Sequence, residues 1–213
     1  MTAQNRLFIF DMDGTLVDSR TDIATGVNIM RRHYGLDPLS VETVCSYVGN
    51  GPDRLVDRAL QDIPFSMPEA LAVFMDAYSR HANEKTTPYP GVTDGLKQLH
   101  ARGDILAVST NKPHDCCLSI VRHLEIEHLF QSVIGEGAGF RLKPDPETLH
   151  HIMNENNTPA ESTYMVGDHH TDIEAGRRAG VQSVFVTYGI GKLNHTQPDL
   201  TVDSFTEFTR HFV

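Results

Sequence analysis

Two aspartates separated by a single residue directly follow a short apolar segment near the start of the chain. Asp11 and Asp13 come after LFIF, residues 7–10, and a glycine follows them in the string DMDGT. The other polar residues that stand directly after apolar segments are Thr110 and Asn111 in STNKP, Lys143 in LKPDP, and Asp168 and Asp172 in GDHHTD. In an open α/β sheet the loops after parallel strands meet at one edge, so we expect these side chains to converge.

Three or four carboxylates gathered around one lysine require a further positive charge. Two carboxylates about 4 Å apart repel by roughly 4 kcal/mol at an effective dielectric constant of 20. Donors that are all oxygen, with no paired Cys or His at ligand spacing, favour a hard divalent ion, Mg²⁺ before zinc. Because Mg²⁺ commonly binds a substrate phosphate oxygen as well, the set indicates phosphoryl transfer.

The predicted roles in such a reaction divide between the two aspartates. Asp11, ionised at the end of a buried strand, would attack phosphorus and form an aspartyl-phosphate. Asp13 would protonate the leaving alkoxide and later deprotonate the attacking water. Thr110 and the amides around Asn111 would bind phosphate oxygens, and Lys143 would neutralise the charge of the transition state.

Each candidate also has a purely structural interpretation. Asp172 precedes IEAGRRAG and could simply cap a helix, Thr110 could belong to a helix start, and Lys143 could be solvated. The adjacent His169 and His170 are expected at the surface or behind the ligands, since chain neighbours rarely bind the same ion. A calcium loop is excluded because an EF-hand needs its glycine at the sixth position, whereas here it is fourth. The structural interpretation weakens because all four features occur in the order that one mechanism requires.

The elements that must position these residues alternate along the chain. Apolar segments predict strands buried on both faces, and amphipathic segments between the later ones predict helices, which is typical of a doubly wound parallel α/β sheet. The predicted strands are residues 7–10, 105–109, 132–135, 163–167 and 183–187.

One stretch, residues 20–85, contains helical patterns and no convincing strand. Its first helix is predicted over 21–35, with Thr21 or Asp22 as the N-terminal cap and Gly35 as the stop. A helical insert at this point would lie above the carboxyl ends of the strands and could act as a lid. The segment TTPYPGV marks its return hinge. We therefore predict a core of residues 1–17 and 86–213 and a helical cap domain of residues 18–85.

The composition argues against two classes of partner. The 213 residues contain 18 Lys plus Arg against 28 Asp plus Glu, for a formal net charge of −10. Such a surface repels nucleic acid and anionic membranes, whereas a small phosphate ester can still bind a local cluster of cations. The three cysteines give no disulfide or zinc pattern, and no targeting segment is recognisable, so a cytoplasmic location is expected. The oligomeric state is not addressed by these patterns.

The four motifs together resemble those of the haloacid dehalogenase-like hydrolases. The segments that carry the resemblance are DMDGT (11–15), STN (109–111), the lysine of KPDP (143–146) and GDHHTD (167–172). The resemblance implies a Rossmann-like core with a cap of four or five helices. It also implies Mg²⁺ held by Asp11, the backbone carbonyl of Asp13 and Asp168, with Asp172 in the same acidic motif. The same nucleophile, acid/base and phosphoryl-contacting roles follow from it.

Within that superfamily the second aspartate implies a phosphomonoesterase. Dehalogenases and phosphonatases lack an acid at the position of Asp13, and phosphonatases use a lysine of the cap. Here Asp13 is present, and the first lysine of the chain is Lys85.

A finer resemblance is to the phosphoglycolate phosphatases. The segments that carry it are YVGNGPDRLVDRAL (47–60), TTPYPGVTDGL (86–96), AVSTNKP (107–113) and VTYGIG (186–191). It implies 2-phosphoglycolate as substrate and glycolate and phosphate as products. The cap loop Gly49, Asn50 and Gly51 would close over the site and read the end of the substrate away from the phosphate. Arg54 would pair with the substrate carboxylate.

Two residues depart from the family pattern and keep alternatives open. His169 stands where a serine is common, and Asp145 stands where a small residue is usual. A titratable imidazole near the ion could alter the pH dependence or crowd larger substrates. The same mechanism could instead serve a sugar phosphate, a nucleotide or pyrophosphate. A catalytically idle binding or regulatory module is the third alternative, against which the intact set of polar residues argues.

Overall fold

Within residues 5–213, which the computed structural model of the protein describes, the fold combines a six-stranded parallel sheet with an inserted group of helices. The strands are β1 (Leu7–Phe10), β2 (Val17–Asp18), β3 (Thr87–Pro88), β4 (Ile105–Pro113), β5 (Ser132–Glu136), β6 (Thr163–Gly167), β7 (Gln182–Val186) and β8 (Leu200–Val202). The α-helices are α1 (Arg20–His33), α2 (Val41–Cys45), α3 (Pro52–Ala59), α4 (Met67–His81), α5 (Val92–Ala101), α6 (His114–His123), α7 (Glu147–Glu155), α8 (His170–Ala179) and α9 (Phe205–Phe212).

The strands of the main sheet lie in the order β5, β4, β1, β6, β7, β8, and all neighbouring pairs are parallel. The central strand is β1, in which Phe10 lies opposite Val108 of β4 and Val166 of β6. Because the sheet grows in opposite directions from β1, the loops after β1, β4 and β6 surround one crevice. The predicted doubly wound parallel sheet is confirmed.

Both faces of β1 are buried because helices cover both sides of the sheet. Phe8 and Phe10 belong to the hydrophobic cluster on one face, and Leu7 and Ile9 belong to the cluster on the other. None of the four side chains is exposed. Burial on both faces explains the unbroken apolar segment LFIF, and it holds the end of the strand firmly in place.

Some strand boundaries differ from those predicted. β4 continues to Pro113 instead of ending at residue 109, and its register against β5 shifts between Ser109 and Pro113. The polar residues of STNKP therefore lie within an irregular strand end, which an apolar pattern does not reveal. β8 was not predicted, since a three-residue strand is too short to show a pattern. α9 was not predicted either, although Phe205, Phe208 and Phe212 have helical spacing and are buried.

The inserted helices α1 to α4 form a layer with a hydrophobic cluster of its own. Val27, Met30, Val56 and Phe74 are fully or almost fully buried in this cluster. The chain leaves and re-enters the core through β2 and β3, which pair antiparallel over two residues each. The predicted domain boundaries stay a proposal, which the position of this short ribbon supports.

Asp22 joins the two ends of the insert instead of capping α1. The helix begins at Arg20, with Ser19 in the N-cap position, so the predicted cap at Thr21 or Asp22 is wrong. The Asp22 carboxylate is buried and accepts hydrogen bonds from the backbone N–H of Lys85 at 2.9 Å and of Thr86 at 2.8 Å. It also accepts one from Thr86 Oγ1 at 2.8 Å. A first-turn aspartate is therefore used for a contact between distant segments.

The cysteines contribute to packing and form no cross-link. Cys116 and Cys117 are free and buried in α6, and Cys45 is free and half-buried. In the same described range, no helix combines the length and the apolar character needed to cross a bilayer.

Candidate active site

The turn after β1 places Asp11 and Asp13 at the carboxyl edge of the sheet. The backbone N–H of Asp11 donates to Val166 O at 2.8 Å, so Asp11 continues the ladder between β1 and β6. Gly14 has a φ of 83°, and a Cβ atom at this position would lie 2.1 Å from Asp168 Oδ2. The glycine of DMDGT is required for the backbone angle and for the close approach of Asp168.

Three buried carboxylates surround a lysine at this edge. Asp11, Asp168 and Asp172 each offer an oxygen, and these oxygens lie within 4.8 Å of one another. Lys143 Nζ lies 3.0 Å from Asp11 Oδ1 and 2.7 Å from Asp172 Oδ1. The same ammonium donates to the carbonyl oxygen of Ser109 at 2.5 Å. Four of the residues predicted to converge are therefore in contact or close to contact.

Burial and mutual repulsion oppose ionisation of two of these carboxylates. Burial is the largest cause that raises the pKa of Asp168 to about 8, and the charges of Asp11 and Asp172 add to it. Burial also raises the pKa of Asp172 to about 7, although Lys143 opposes this rise. For Lys143, burial alone lowers the pKa, but the charges of Asp11 and Asp172 raise it overall. The cluster therefore holds more negative charge than one lysine balances.

This cluster fits a hard divalent cation. Asp11 Oδ1 and Asp172 Oδ1 are buried and, within the described residues, accept no hydrogen bond of normal geometry, although Lys143 lies at ion-pair distance. Buried carboxylate oxygens with spare lone pairs, and no sulfur or nitrogen donor among them, suit Mg²⁺. A divalent ion would also relieve the repulsion that raises the pKa of Asp168.

Asp168 is held by a loop that the sequence analysis did not assign to the site. Its Oδ2 accepts hydrogen bonds from the backbone N–H of Ile190 at 2.8 Å and of Gly191 at 2.7 Å. Its Oδ1 accepts one from Thr15 Oγ1 at 3.3 Å. The glycines of VTYGIG signal this contact, because a Cβ atom on Gly189 would lie 2.3 Å from Asp168 Cβ.

Asp172 both caps a helix and belongs to the acidic cluster. Its Oδ2 accepts the backbone N–H of His169 at 3.0 Å, which completes a capping box at the start of α8. Its Oδ1 faces Lys143. The two interpretations of this residue that the sequence left open therefore hold together.

The carboxylate of Asp13 lies outside this cluster and has a lysine of its own. Asp13 Oδ1 accepts hydrogen bonds from Lys112 Nζ at 2.6 Å and from Ser19 Oγ at 2.5 Å. Lys112 also donates to the hydroxyl of Tyr78 in α4. Any contribution of Asp13 to a metal site therefore rests on its backbone carbonyl. Lys112 and Tyr78 are not among the predicted site residues, although Lys112 directly follows Thr110 and Asn111 in the sequence.

Thr110 and Asn111 line the pocket, but the two side chains differ in which hydrogen-bond donors remain available to a ligand. Asn111 Nδ2 donates to the carbonyl oxygens of Gly49 and Lys143, both at 2.9 Å. Asn111 Oδ1 accepts the backbone N–H of Lys143 at 2.8 Å. Both N–H groups of the Asn111 amide are thus engaged, so the side chain ties two loops together instead of donating to a substrate. Thr110 Oγ1 accepts from Lys112 N at 3.3 Å, which leaves its hydroxyl hydrogen for a ligand.

The cap loop of Gly49, Asn50 and Gly51 lies directly against the core. Gly49 has a φ of 112°, and a Cβ atom there would lie 2.7 Å from His169 Nε2. Gly51 has a φ of 87°, and its Cβ atom would lie 2.7 Å from Leu142 Cδ1. At both positions the positive φ and the close contact disfavour any residue with a Cβ atom. The role of the loop in reading the substrate stays a prediction.

Arg58 holds the cap loop, whereas Arg54 lies apart from the site. Arg58 donates to Tyr47 O at 2.7 Å and to Asn50 Oδ1 at 2.9 Å. The side chain of Arg54 is 68% exposed and lies 3.8 Å from Asp57. Arg54 does not line the pocket, because the face of α3 that carries it is turned to solvent. Sequence reasoning thus selected the arginine one helical turn away from the one that contacts the loop.

A cavity between the inserted helices and the edge of the sheet contains these groups. Its volume is about 620 Å³, including the part that opens to solvent. On the side of the insert it is lined by Ile23, Val48, Leu55, Phe74 and Tyr78. On the side of the sheet it is lined by Asp11, Asp13, Thr110, Lys112, Lys143 and Asp168. The cavity therefore offers an apolar enclosure above a charged floor, which suits a small anionic ligand.

This combination of motifs, sheet order and buried acidic cluster matches a known family. A family model described as haloacid dehalogenase-like hydrolase matches residues 8–186. The protein belongs to the haloacid dehalogenase-like hydrolases. Its six-stranded parallel sheet flanked by helices is the fold that the sequence motifs implied for this family.

Similar hydrolases of this family carry a more specific name. The chain is 40% identical over 200 residues to a phosphoglycolate phosphatase of Pseudomonas fluorescens (strain Pf0-1). The match covers 91% of this chain and 72% of that protein. It is 37% identical over 207 residues to a phosphoglycolate phosphatase of Psychrobacter arcticus (strain DSM 17307 / VKM B-2377 / 273-4), with 90% of both chains covered. The crystal structure of a predicted phosphoglycolate phosphatase from Haemophilus somnus 129pt matches with a TM-score of 0.90 and 29% identity over 100% of both chains. The resemblance to the phosphoglycolate phosphatase family is confirmed, and the protein is a phosphatase.

The two departures from the pattern of these hydrolases have local structural explanations. His169 Nδ1 lies 2.9 Å from Thr171 Oγ1 in the capping box. Burial first, and then the charge of His170, lowers the pKa of His169 to about 4, so its imidazole is neutral at pH 7 and does not titrate near neutrality. Asp145 Oδ1 accepts the backbone N–H of Glu147, the first residue of α7, at 3.0 Å. Neither residue displaces a member of the acidic cluster.

Proposed function

We propose that the protein is a Mg²⁺-dependent phosphomonoesterase that converts 2-phosphoglycolate into glycolate and phosphate through an aspartyl-phosphate on Asp11. The observation that carries the proposal is the convergence of Asp11, Lys143 and Asp168 at the edge of a cavity that Asp13 also lines, with Asp172 buried beside Lys143. A carboxylate nucleophile, a compensating cation and a separate proton carrier are the groups that this form of phosphoryl transfer needs.

The proposed reaction has two displacements at phosphorus. An oxygen of Asp11 attacks phosphorus while the bond to the leaving oxygen breaks, and Asp13 gives its proton to that oxygen. Water then attacks the aspartyl-phosphate, Asp13 takes the proton of the water, and the bond to Asp11 breaks to release phosphate. Lys143 and the hydroxyl of Thr110 stabilise the phosphoryl oxygens during both steps.

The proposed metal ligands are Asp11, Asp168 and the backbone carbonyl of Asp13. When bound there, Mg²⁺ supplies positive charge against the phosphoryl oxygens and the clustered carboxylates. Asp172 keeps Lys143 in place beside Asp11, and the loop that donates to Asp168 keeps that carboxylate oriented.

The choice of substrate is supported by the names of the relatives and by the enclosure of the cavity. Proteins 40% and 37% identical to this chain are called phosphoglycolate phosphatases. A roof of apolar side chains admits a small ester more readily than a large one. The net charge of −10 disfavours nucleic acid as a partner. A cytoplasmic location stays a prediction from the sequence.

The first test is hydrolysis of a panel of phosphate monoesters, with Mg²⁺ and after its removal by a chelator. We expect 2-phosphoglycolate to have the highest kcat/KM, above sugar phosphates and nucleotides, and activity to require the ion. Asp11→Asn, which removes the nucleophile with little change of shape, should lower kcat by at least about 10⁴-fold, as for other nucleophile deletions. Mass spectrometry of the wild type quenched in acid should show a phosphoryl group on Asp11.

The outcomes separate the parts of the proposal. If sugar phosphates rank above 2-phosphoglycolate, the substrate is wrong while the mechanism stands. Activity of Asp11→Asn close to that of the wild type on every ester would exclude the aspartyl-phosphate.

A further inference from the structure

Lys112 is a buried cation that the proposed reaction does not use. Its side chain is 1% exposed, and it lines the cavity from β4. Its ammonium lies 2.6 Å from Asp13 Oδ1, contacts the Tyr78 hydroxyl, and is 4.8 Å from the centre of the Tyr78 ring. The carboxylate of Asp13 at this distance favours the charged form of the ammonium.

The basic residues that line the cavity have distinct positions. Lys143 lies beside Asp11, the proposed nucleophile, so it faces the phosphoryl group. Lys112 lies beside Asp13, the proposed proton donor to the leaving oxygen, so it is on the side of the leaving group. His169 Nδ1 is engaged with Thr171 Oγ1 at 2.9 Å, and Arg54 does not line the cavity. Lys112 is therefore the cation of the cavity that lies away from the proposed nucleophile.

The ammonium of Lys112 has a donor to spare. A lysine ammonium carries three hydrogen-bond donors. Two are directed to Asp13 Oδ1 and to the hydroxyl of Tyr78 among the residues that the structure describes. The third can meet a substrate oxygen inside the cavity. A charge-assisted hydrogen bond in such an enclosed site is stronger than one at the surface.

We propose that Lys112 is the residue that selects substrates with a carboxylate on the leaving group. The inference rests on the proposed function and adds to it the contact that recognises the non-phosphate end of the substrate. Arg54 was assigned this contact on sequence grounds, and Lys112 takes it because Lys112 is in the cavity.

Tyr78 makes the recognition depend on the inserted helices. It belongs to α4, is 1% exposed, and stacks on Phe74 with ring centres 5.5 Å apart. Its hydroxyl meets Lys112 of the core, so the two sides of the cavity together orient the ammonium. Lys112 is therefore oriented to bind a carboxylate when the inserted helices pack on the sheet and bring Tyr78 into contact with it.

The test compares two esters that differ in charge but hardly in shape. The substrates are 2-phosphoglycolate and its carboxamide isostere, the phosphate ester of glycolamide. We expect the wild type to prefer the acid in kcat/KM by at least about 30-fold, and Lys112→Met to abolish most of that preference, as for removal of one partner of a buried charge pair. Using the ratio of two esters cancels any general loss caused by a disturbed Asp13.

A matched control is Ser19→Ala. It removes the other hydrogen-bond partner of Asp13 Oδ1 and leaves Lys112 in place. A residue that acts only by positioning Asp13 affects both esters equally, so Ser19→Ala should lower both rates by one factor and keep the preference for the acid. Far-ultraviolet circular dichroism and thermal unfolding check that each variant is folded.

Each outcome supports or overturns the inference. If the wild type does not prefer the acid, the proposed substrate and the inference both fail. If the wild type prefers the acid and folded Lys112→Met keeps that preference, the inference alone fails. Should Lys112→Met not fold, Tyr78→Phe removes only the hydroxyl that orients the ammonium, and a preference unchanged from the wild type would overturn the inference instead.

Discussion

Asp11 and Asp13 are two residues apart, yet their carboxylates meet different partners. Asp11 lies in an acidic cluster with Lys143, whereas Asp13 pairs with Lys112 and Ser19. In the proposed mechanism, this separation keeps the attacking carboxylate within the acidic cluster and the proton-carrying carboxylate outside it. The turn that follows β1 therefore gives two chemically identical side chains two distinct environments.

Gly49 permits one prediction at the scale of a single residue. Its φ of 112° and the nearby ring of His169 exclude a larger side chain. Gly49→Val should push the cap loop away from the core and lower kcat/KM for the true substrate by at least about tenfold, roughly 1.4 kcal/mol. Steady-state kinetics measures this loss, and thermal unfolding checks that the fold persists.

Gly35→Val is the matched control for that variant. Gly35 also has a positive φ, 71°, but a Cβ atom there would have no neighbour within 4 Å. Backbone strain is thus common to both substitutions, and only Gly49→Val adds the contact with the core. Equal activity in the two variants would contradict the role of the loop.

Asp11 and Asp168 were predictable because they directly follow the apolar strands β1 and β6. Lys143 lies in the loop between β5 and α7, and Asp172 lies in the first turn of α8, yet the fold brings both to the same cluster. Lys112 was not predictable in the same way. It lies inside an irregular strand end, where a lysine normally points to solvent, and only the tertiary contact with Asp13 shows that it is buried.

At the scale of elements, the ribbon of β2 and β3 joins the inserted helices to the sheet. It contains two residues on each strand, with Val17 opposite Pro88 and Asp18 opposite Thr87. Next to it, the Asp22 carboxylate accepts hydrogen bonds from both Lys85 and Thr86. These hydrogen bonds hold together the two segments that connect the inserted helices to the core.

Asp22→Asn should weaken the contact between these two connecting segments. The new amide would turn N–H donors toward the backbone donors of Lys85 and Thr86, so a buried N–H would lose its partner. We expect a loss of about 1–3 kcal/mol in the free energy of unfolding, measured by urea denaturation. Asp62→Asn, on an exposed aspartate of the insert, is the control and should change the stability by no more than about 0.5 kcal/mol. If the Asp22→Asn variant has the same free energy of unfolding as the wild type, the contact contributes nothing to stability.

The strands of the sheet were more predictable than the helix boundaries. LFIF and TYMVG match β1 and β6 residue for residue, because burial on both faces leaves an unbroken apolar segment. The start of α1 was misplaced, since a first-turn aspartate such as Asp22 looks like a cap whether its acceptors are used locally or by a distant segment. Ser204, by contrast, caps its own helix, because its hydroxyl accepts the N–H of Glu207 at the start of α9.

At the scale of the whole molecule, the acidic cluster links stability to pH and, through the proposed site, to a metal ion. The pKa of Asp168 rises from its ordinary value near 3.9 to about 8 in the folded chain. The folded state therefore binds more protons than the unfolded state between these values. Without metal, the stability that protonated Asp168 contributes is present at low pH and is lost as pH rises from about 4 to about 8.

The corresponding prediction is that Mg²⁺ raises the melting temperature more near pH 8 than near pH 5.5. At 100 times its Kd the ion adds about 2.7 kcal/mol, which corresponds to roughly 5–10 °C for a chain of this size. Differential scanning fluorimetry at both pH values measures the shift.

Asp168→Asn is the control for the metal prediction. Its amide oxygen can still accept the N–H groups of Ile190 and Gly191, while the charge is removed. The response to Mg²⁺ should disappear, and the metal-free variant should depend less on pH than the wild type. A shift as large in the variant as in the wild type would place the ion elsewhere.

The pairing of β2 with β3 has a further consequence for how such a protein changes over evolution. The insert begins and ends at neighbouring positions, because Asp18 lies opposite Thr87. A segment with adjacent ends can be exchanged for another of different length without moving any strand of the sheet. The acidic cluster and Lys143 of the core can thus be inherited unchanged while the helices above them are replaced. New substrate ranges are then reached by modular exchange at a single attachment point.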